Sequence, residues 1–176
     1  GGTRIPSLTV IHVESQSLRQ DYLDRLVLRR SEETTNPVES DRLQQLALEW
    51  TASATSDWQR VSSICHALRK YTHDSESFVP EETTDAVEYF LFESRRGPDF
   101  LFATSAAVLM RSLGFQSRVV SGLYAYPQNY DRMAKATGVF ATNVHFWTEV
   151  KTKDGYWIPV EPTPGFELLY VRRTFL

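Results

Sequence analysis

Between Phe100 and Leu113 the chain is apolar almost all the way round a helical period, interrupted only by Thr104, Ser105, Arg111 and Ser112. A helix apolar on every side must be enclosed, by the rest of its domain or by lipid. This run is shorter than the roughly 18 residues a bilayer span needs. It therefore reads as the buried centre of a globular domain, with Asp99 as its N-cap and Gly114 as the left-handed residue after its end. Beyond Gly114 the apolar period changes from 3.6 to 2, which makes Arg118–Tyr124 a strand.

The other segments supply what must surround that helix. Leu43, Leu46, Ala47 and Trp50 share one helical face, and Val61, Ile64, Cys65 and Leu68 share another, with Ser53–Asp57 between the two helices. Thr72–Glu82 reads as a polar loop, Thr84–Glu93 as a short helix and Arg95–Asp99 as a turn. Thr142–Lys151, Tyr156–Glu161 and Phe166–Phe175 read as further strands, and Thr9–Glu14 as a short early one. Ala125–Ala141 is a long connection, either a lid or a surface loop. Helices first and neighbouring strands later predict an α+β fold with an antiparallel sheet. Residues 1–40 read as an N-terminal extension ending in the polar linker Ser31–Ser40, and residues 41–176 as the folded domain.

At 176 residues and 41% hydrophobic content the chain suits one domain with a sizeable core. Its formal charge of −3 lacks the basic excess of a nucleic-acid partner. One cysteine, Cys65, excludes an internal disulfide and a multi-cysteine metal cluster, and its place on an apolar stripe makes it a core residue. The chain opens Gly1-Gly2 without Met and closes on an apolar stretch, so it reads as a piece of a longer protein.

The turn at Lys153-Asp154-Gly155 decides the register of the last hairpin. A two-residue turn would set Phe146 opposite Thr163. A three-residue loop with Gly155 left-handed sets Val150 opposite Ile158 and Thr148 opposite Val160. One face then carries Val144, Phe146, Val150, Tyr156, Ile158 and Val160, and register follows the buried face. His145, Trp147, Glu149, Trp157 and Glu161 take the other face, with Glu161 diagonal to His145. A histidine oriented by a neighbouring carboxylate is half of a catalytic triad.

Three motifs then carry a resemblance. Phe90-Leu-Phe-Glu-Ser-Arg-Arg-Gly97-Pro-Asp99-Phe-Leu-Phe102-Ala103 resembles the nucleophile segment of the bacterial transglutaminase-like core. Asn143-Val-His145-Phe-Trp147-Thr-Glu149-Val resembles its His-x-Trp-x-Glu-Val strand. Tyr156-Trp157-Ile-Pro-Val160-Glu161-Pro162-Thr163 resembles its Trp-x-Pro-Val-Asp-Pro-Thr segment. The resemblance covers roughly Glu49 to Gly165 and implies a papain-like, transglutaminase-like α+β core with the nucleophile helix packed on an antiparallel sheet.

Where the family carries its catalytic Cys this chain has Asp99, and where it carries the triad Asp this chain has Glu161; His145 is kept. The family's chemistry is attack of a Cys–His pair on an amide, followed by transfer of the acyl group to an amine or water. A carboxylate attacks amides poorly and would form a high-energy anhydride. The resemblance therefore implies a catalytically silent domain. Its former cleft, walled by Trp147, Trp157 and Tyr124, takes a peptide or protein segment and needs no cofactor. Hydrogen bonding within Asp99–His145–Glu161 would keep His145 charged and make it a poor base.

Two other readings stay open: a hydrolase in which Asp99 and His145 activate water, and a divalent-metal site at Asp99, His145 and Glu161. Each site residue also has a plain structural role available, Asp99 as a helix cap and the aromatics as core. Family members often sit outside the membrane on membrane-attached parents, which implies an extracytoplasmic domain of a larger bacterial protein.

Overall fold

The structure is a computed structural model that describes residues 18–31 and 40–167. The expected strand Thr9–Glu14, most of the linker Ser31–Ser40 and all but the first two residues of the expected strand Phe166–Phe175 lie outside the described residues; Phe166 and Glu167 themselves are irregular. A short helix α1 (Gln20–Leu23) precedes an extended stretch in which Leu28 is buried. Leu28 and Arg30 bridge to Thr152 and Phe115.

Helices α2 (Asp41–Trp50) and α3 (Asp57–Leu68) follow, the second capped by Ser56, whose hydroxyl accepts from the Gln59 amide. A two-residue strand β1 (Thr72–His73) and one turn of helix α4 (Ala86–Glu88) come next. The expected helix over Thr84–Glu93 is α-helical only in α4. From Tyr89 to Ser94 the chain winds as a π-helix that ends on Arg95 with φ 48°. That winding turns consecutive Phe90 and Leu91 both into the core, 0 and 1% exposed. The expected turn over Arg95–Asp99 contains strand β2 (Arg96–Gly97), parallel to β1. A Cβ on Gly97 would lie 2.9 Å from Leu101 and 3.1 Å from Phe90, so only glycine allows that approach.

The central helix α5 (Asp99–Ser112) is buried through Leu101, Phe102, Ala106, Leu109 and Met110. Its N-cap is Pro98, which leaves Asp99 as the first helical residue and corrects the expected capping role. Gly114, φ 84°, closes it as expected. Phe115 N–H donates to the Met110 carbonyl (3.0 Å) and Gly114 N–H to Arg111 (2.8 Å), the paired bonds of a Schellman end.

On one side α5 packs against α2 and α3. On the other lies an antiparallel sheet of β3 (Ser117–Leu123), β6 (Val144–Lys151) and β7 (Trp157–Val160), in the order β3-β6-β7. Thr148 opposes Val160 and Val150 opposes Ile158, the register of the three-residue loop. Thr148 is 0% exposed on the core face because its hydroxyl donates to the Ala103 carbonyl of α5 (2.8 Å). Val144 and Tyr156, expected on that face, are 52 and 72% exposed. They stand at the hairpin ends, beyond the reach of α5. The connection over Ala125–Ala141 holds a 3-10 turn and a hairpin of β4 (Tyr130–Asp131) and β5 (Ala136–Thr137).

Candidate functional site

His145 stands in β6 opposite Gly122 of β3, where the start of α5 meets the sheet. Pro98 holds an extended backbone (φ −71°, ψ 163°), so the helix begins at Asp99 with its carboxylate directed at β6. One oxygen of Asp99 accepts from both His145 Nδ1 (2.7 Å) and the Phe146 N–H (3.1 Å). Glu161, one residue past β7, meets His145 Nε2 at 2.8 Å, and its other oxygen accepts from the Thr163 N–H (2.8 Å). The structure thus brings Asp99, His145 and Glu161 into one chain of bonds.

Both ring nitrogens face carboxylates, and both can donate only when the imidazole is charged. Burial disfavours that charge, but the bonds to Asp99 and Glu161 and their charges outweigh it and raise the His145 pKa to about 9. Burial likewise disfavours the Asp99 carboxylate. The hydrogen bonds from His145 and the Phe146 N–H outweigh it and hold Asp99 below the usual carboxylate range. The imidazole is thus held protonated beside the ionised Asp99 carboxylate.

The site is closed as well as paired. His145 is 2% exposed. Phe166 stacks on the imidazole with centroids 3.8 Å apart, and Tyr124 meets it edge-on at 5.5 Å. Arg69, the residue that caps the end of α3, holds this cover in place, donating to the carbonyls of Glu161 (2.9 Å) and Phe166 (3.1 Å). The Tyr124 hydroxyl bonds the backbone of Glu167. Neither Phe166 nor Arg69 stood out in the sequence as part of a site. The local signal was Pro164-Gly165, whose positive φ of 87° at Gly165 lets the chain turn at that point.

Trp147 lies beside the histidine at 6.5 Å, over Gly122, where a Cβ would come within 2.7 Å of the indole. Trp157 does not join them, which corrects its place in the expected cleft wall. It pairs with Lys151, six residues along β6 from His145 and so roughly 20 Å away at ~3.3 Å per residue, and it packs under Arg118 at 4.2 Å. Cys65 is 9% exposed and takes no bond in the cluster; burial pushes its thiol to about 12. A groove of about 1500 Å³ runs around α3 past Trp50, Trp58 and Tyr71 and reaches Cys65 and Glu161, while neither Asp99 nor His145 lines it. Among the described residues no three His, Cys, Asp or Glu side chains are grouped to hold a metal ion; the imidazole lies between the two carboxylates.

A buried helix whose first residue meets a strand histidine, itself held by a carboxylate just past the end of the next strand, is the arrangement the three motifs implied. Residues 44–162 match the transglutaminase-like superfamily. The chain belongs to that superfamily. Over 131 residues, 72% of its length, it is 29% identical to the uncharacterized protein YebA of Bacillus subtilis. Over 103 residues, 57% of its length, it is 26% identical to a protein-glutamine gamma-glutamyltransferase of Pseudomonas aeruginosa. Both are far longer, and the chain spans 18 and 15% of them. The periplasmic domain of TgpA from Pseudomonas aeruginosa shares its fold, with a TM-score of 0.56 and 22% identity over 69% of this chain and 43% of that one. The transglutaminase-like α+β fold expected from the sequence is the fold observed. Among the described residues no helix is long and apolar enough to cross a membrane.

Proposed function

We propose that this transglutaminase-like domain does not perform thiol acyl transfer and instead receives a peptide or protein segment beside its former active site. One observation carries the reading: both nitrogens of His145 are held by carboxylates, at 2.7 Å from Asp99 and 2.8 Å from Glu161. In the family's reaction the nitrogen facing the helix start must exchange a proton with a thiol. Here that nitrogen meets Asp99, at the position where the resemblance puts the cysteine. A carboxylate there holds the proton firmly, and its attack on an amide would lead to an anhydride that water has little access to clear. An imidazole with a pKa near 9 is also charged at neutral pH, which disfavours water activation by Asp99 and His145.

Tyr124 and Trp147 border the covered histidine, Tyr126 packs on Tyr124, and the three supply partly buried aromatic surface for a bound segment. The likeness to a periplasmic domain supports an extracytoplasmic place on a larger, membrane-attached parent. The test is an assay of amide hydrolysis and amine incorporation on a mixed peptide pool, with the protein beside Asp99→Cys and His145→Ala, and peptide capture measured in parallel. The expected result is no turnover by the protein itself, His145-dependent turnover by Asp99→Cys, and capture that weakens in Trp147→Ala. Turnover by the protein that His145→Ala abolishes would overturn the reading.

A further inference from the structure

The connection between β3 and β6 carries apolar surface that the covered histidine does not use. Its hairpin of β4 and β5 pairs with neither of the other sheets, and every residue from Tyr130 to Ala136 is exposed. Met133 stands at the turn, 96% exposed, with Arg132 on one side and Lys135 two residues on. Tyr130 opens the hairpin and Phe140 follows it, 52 and 61% exposed.

Nothing in the turn itself calls for that methionine. The tip is built by Asp131, whose carboxylate accepts from the Met133 N–H (2.7 Å) and the Ala134 N–H (3.0 Å). Lys135 takes the left-handed backbone (φ 50°), and the Gly138 N–H closes the base on the Asn129 carbonyl (3.1 Å). The one acidic side chain of the tip is thus folded onto the backbone. Among the described residues neither Arg132 nor Lys135 has an ion-pair partner. The tip offers one apolar group between two free cations, with two aromatic rings behind them.

This surface projects instead of enclosing, and β4 and β5, at two residues each, are too short to extend a partner's sheet. A projecting apolar tip with flanking cations and aromatic rings suits a lipid interface: the thioether enters the headgroup boundary, the cations meet phosphates, and the rings lie at the water edge. We infer that the Tyr130–Thr137 hairpin docks this domain on an anionic lipid surface. The contact is independent of whatever His145 does, because it shares no residue with that cluster.

The experiment is co-sedimentation of the chain with large unilamellar vesicles of phosphatidylcholine, or of phosphatidylcholine with one part in about three of phosphatidylglycerol. The protein is expected to partition onto the anionic vesicles. Met133→Glu is expected to lower the partition at least about tenfold, and Arg132→Gln with Lys135→Gln about 30-fold, on the order of fivefold per cation. All these positions are exposed, and circular dichroism confirms that each variant is folded. Failure of the folded protein to bind either vesicle overturns the inference, as it would if the patch served a protein partner or a second copy. Binding that Met133→Glu leaves unchanged overturns it too.

Discussion

Phe166 lies flat on the imidazole of His145, with ring centroids 3.8 Å apart and planes within 6°. The ring comes from a segment without regular structure, so its position depends on what anchors that segment. Arg69 and Tyr124 are the anchors. The stacked ring keeps water off the two carboxylate bonds, and water would weaken them.

Removing the ring should therefore cost stability and expose the histidine. Phe166→Ala is expected to destabilise the fold by about 3 kcal/mol, the range for losing a buried aromatic ring. Arg69→Met, which keeps the stem but releases two carbonyls, should cost about 2 kcal/mol. Urea unfolding measures both. Amide exchange at Thr163 should accelerate in each variant, and an unchanged rate would show that the cover is not held this way.

The charged histidine gives stability a defined pH dependence. An unfolded histidine titrates near 6.5, and His145 is raised to about 9 in the fold. The folded state therefore binds this proton more tightly. The contribution is fully present below pH ~6.5 and is lost as pH rises through about 9, with a size of about 3 kcal/mol. Unfolding measured from pH 6 to 10 should show the decline, and His145→Gln should flatten it. An imidazole that titrates near 6.5 by NMR would refute the charged cluster.

Gly122 is a steric requirement of Trp147. A methyl group there would come within 2.7 Å of the indole, so Gly122→Ala must push the ring off the strand. We expect a loss of about 1–3 kcal/mol, as for other overpacked sites. A changed near-ultraviolet dichroism from the displaced tryptophan should accompany it, and a spectrum like that of the unaltered protein would contradict the contact.

Cys65 should be chemically silent until the domain opens. Burial holds its thiol near 12, which leaves almost no thiolate at neutral pH. A disulfide reagent at pH 8 should label it only at the rate of unfolding, and labelling should quicken with added urea. Rapid stoichiometric labelling of the native chain would place Cys65 at the surface.

Much of this architecture could be read in the chain because the signals are local and periodic. The all-round apolar run of α5, its glycine end and the period change after Gly114 need no distant partner to be interpreted. The last hairpin was legible for a similar reason: only the register with Gly155 left-handed puts Val150 and Ile158 on one face, and a slip by one residue would reverse every side chain. The winding over Tyr89–Ser94 was less legible, because spacing of apolar residues does not separate an α-turn from a π-turn that buries adjacent residues.

Local periodicity was enough to place the central helix and the sheet that covers it, and to set Glu161 diagonal to His145. Tertiary structure decided what those groups do. Asp99 gave up helix capping because the helix begins at Asp99 itself, with Pro98 as its cap, and a histidine and an amide from β6 offered better donors. Trp157 shares the alternation of His145 but not its end of the strand. Phe166 reaches the imidazole because Arg69, far away in the chain, draws its carbonyl in. Periodicity reports which side of an element is buried; it carries no information on how far along the element a partner lies, or on which distant donor secures an irregular segment.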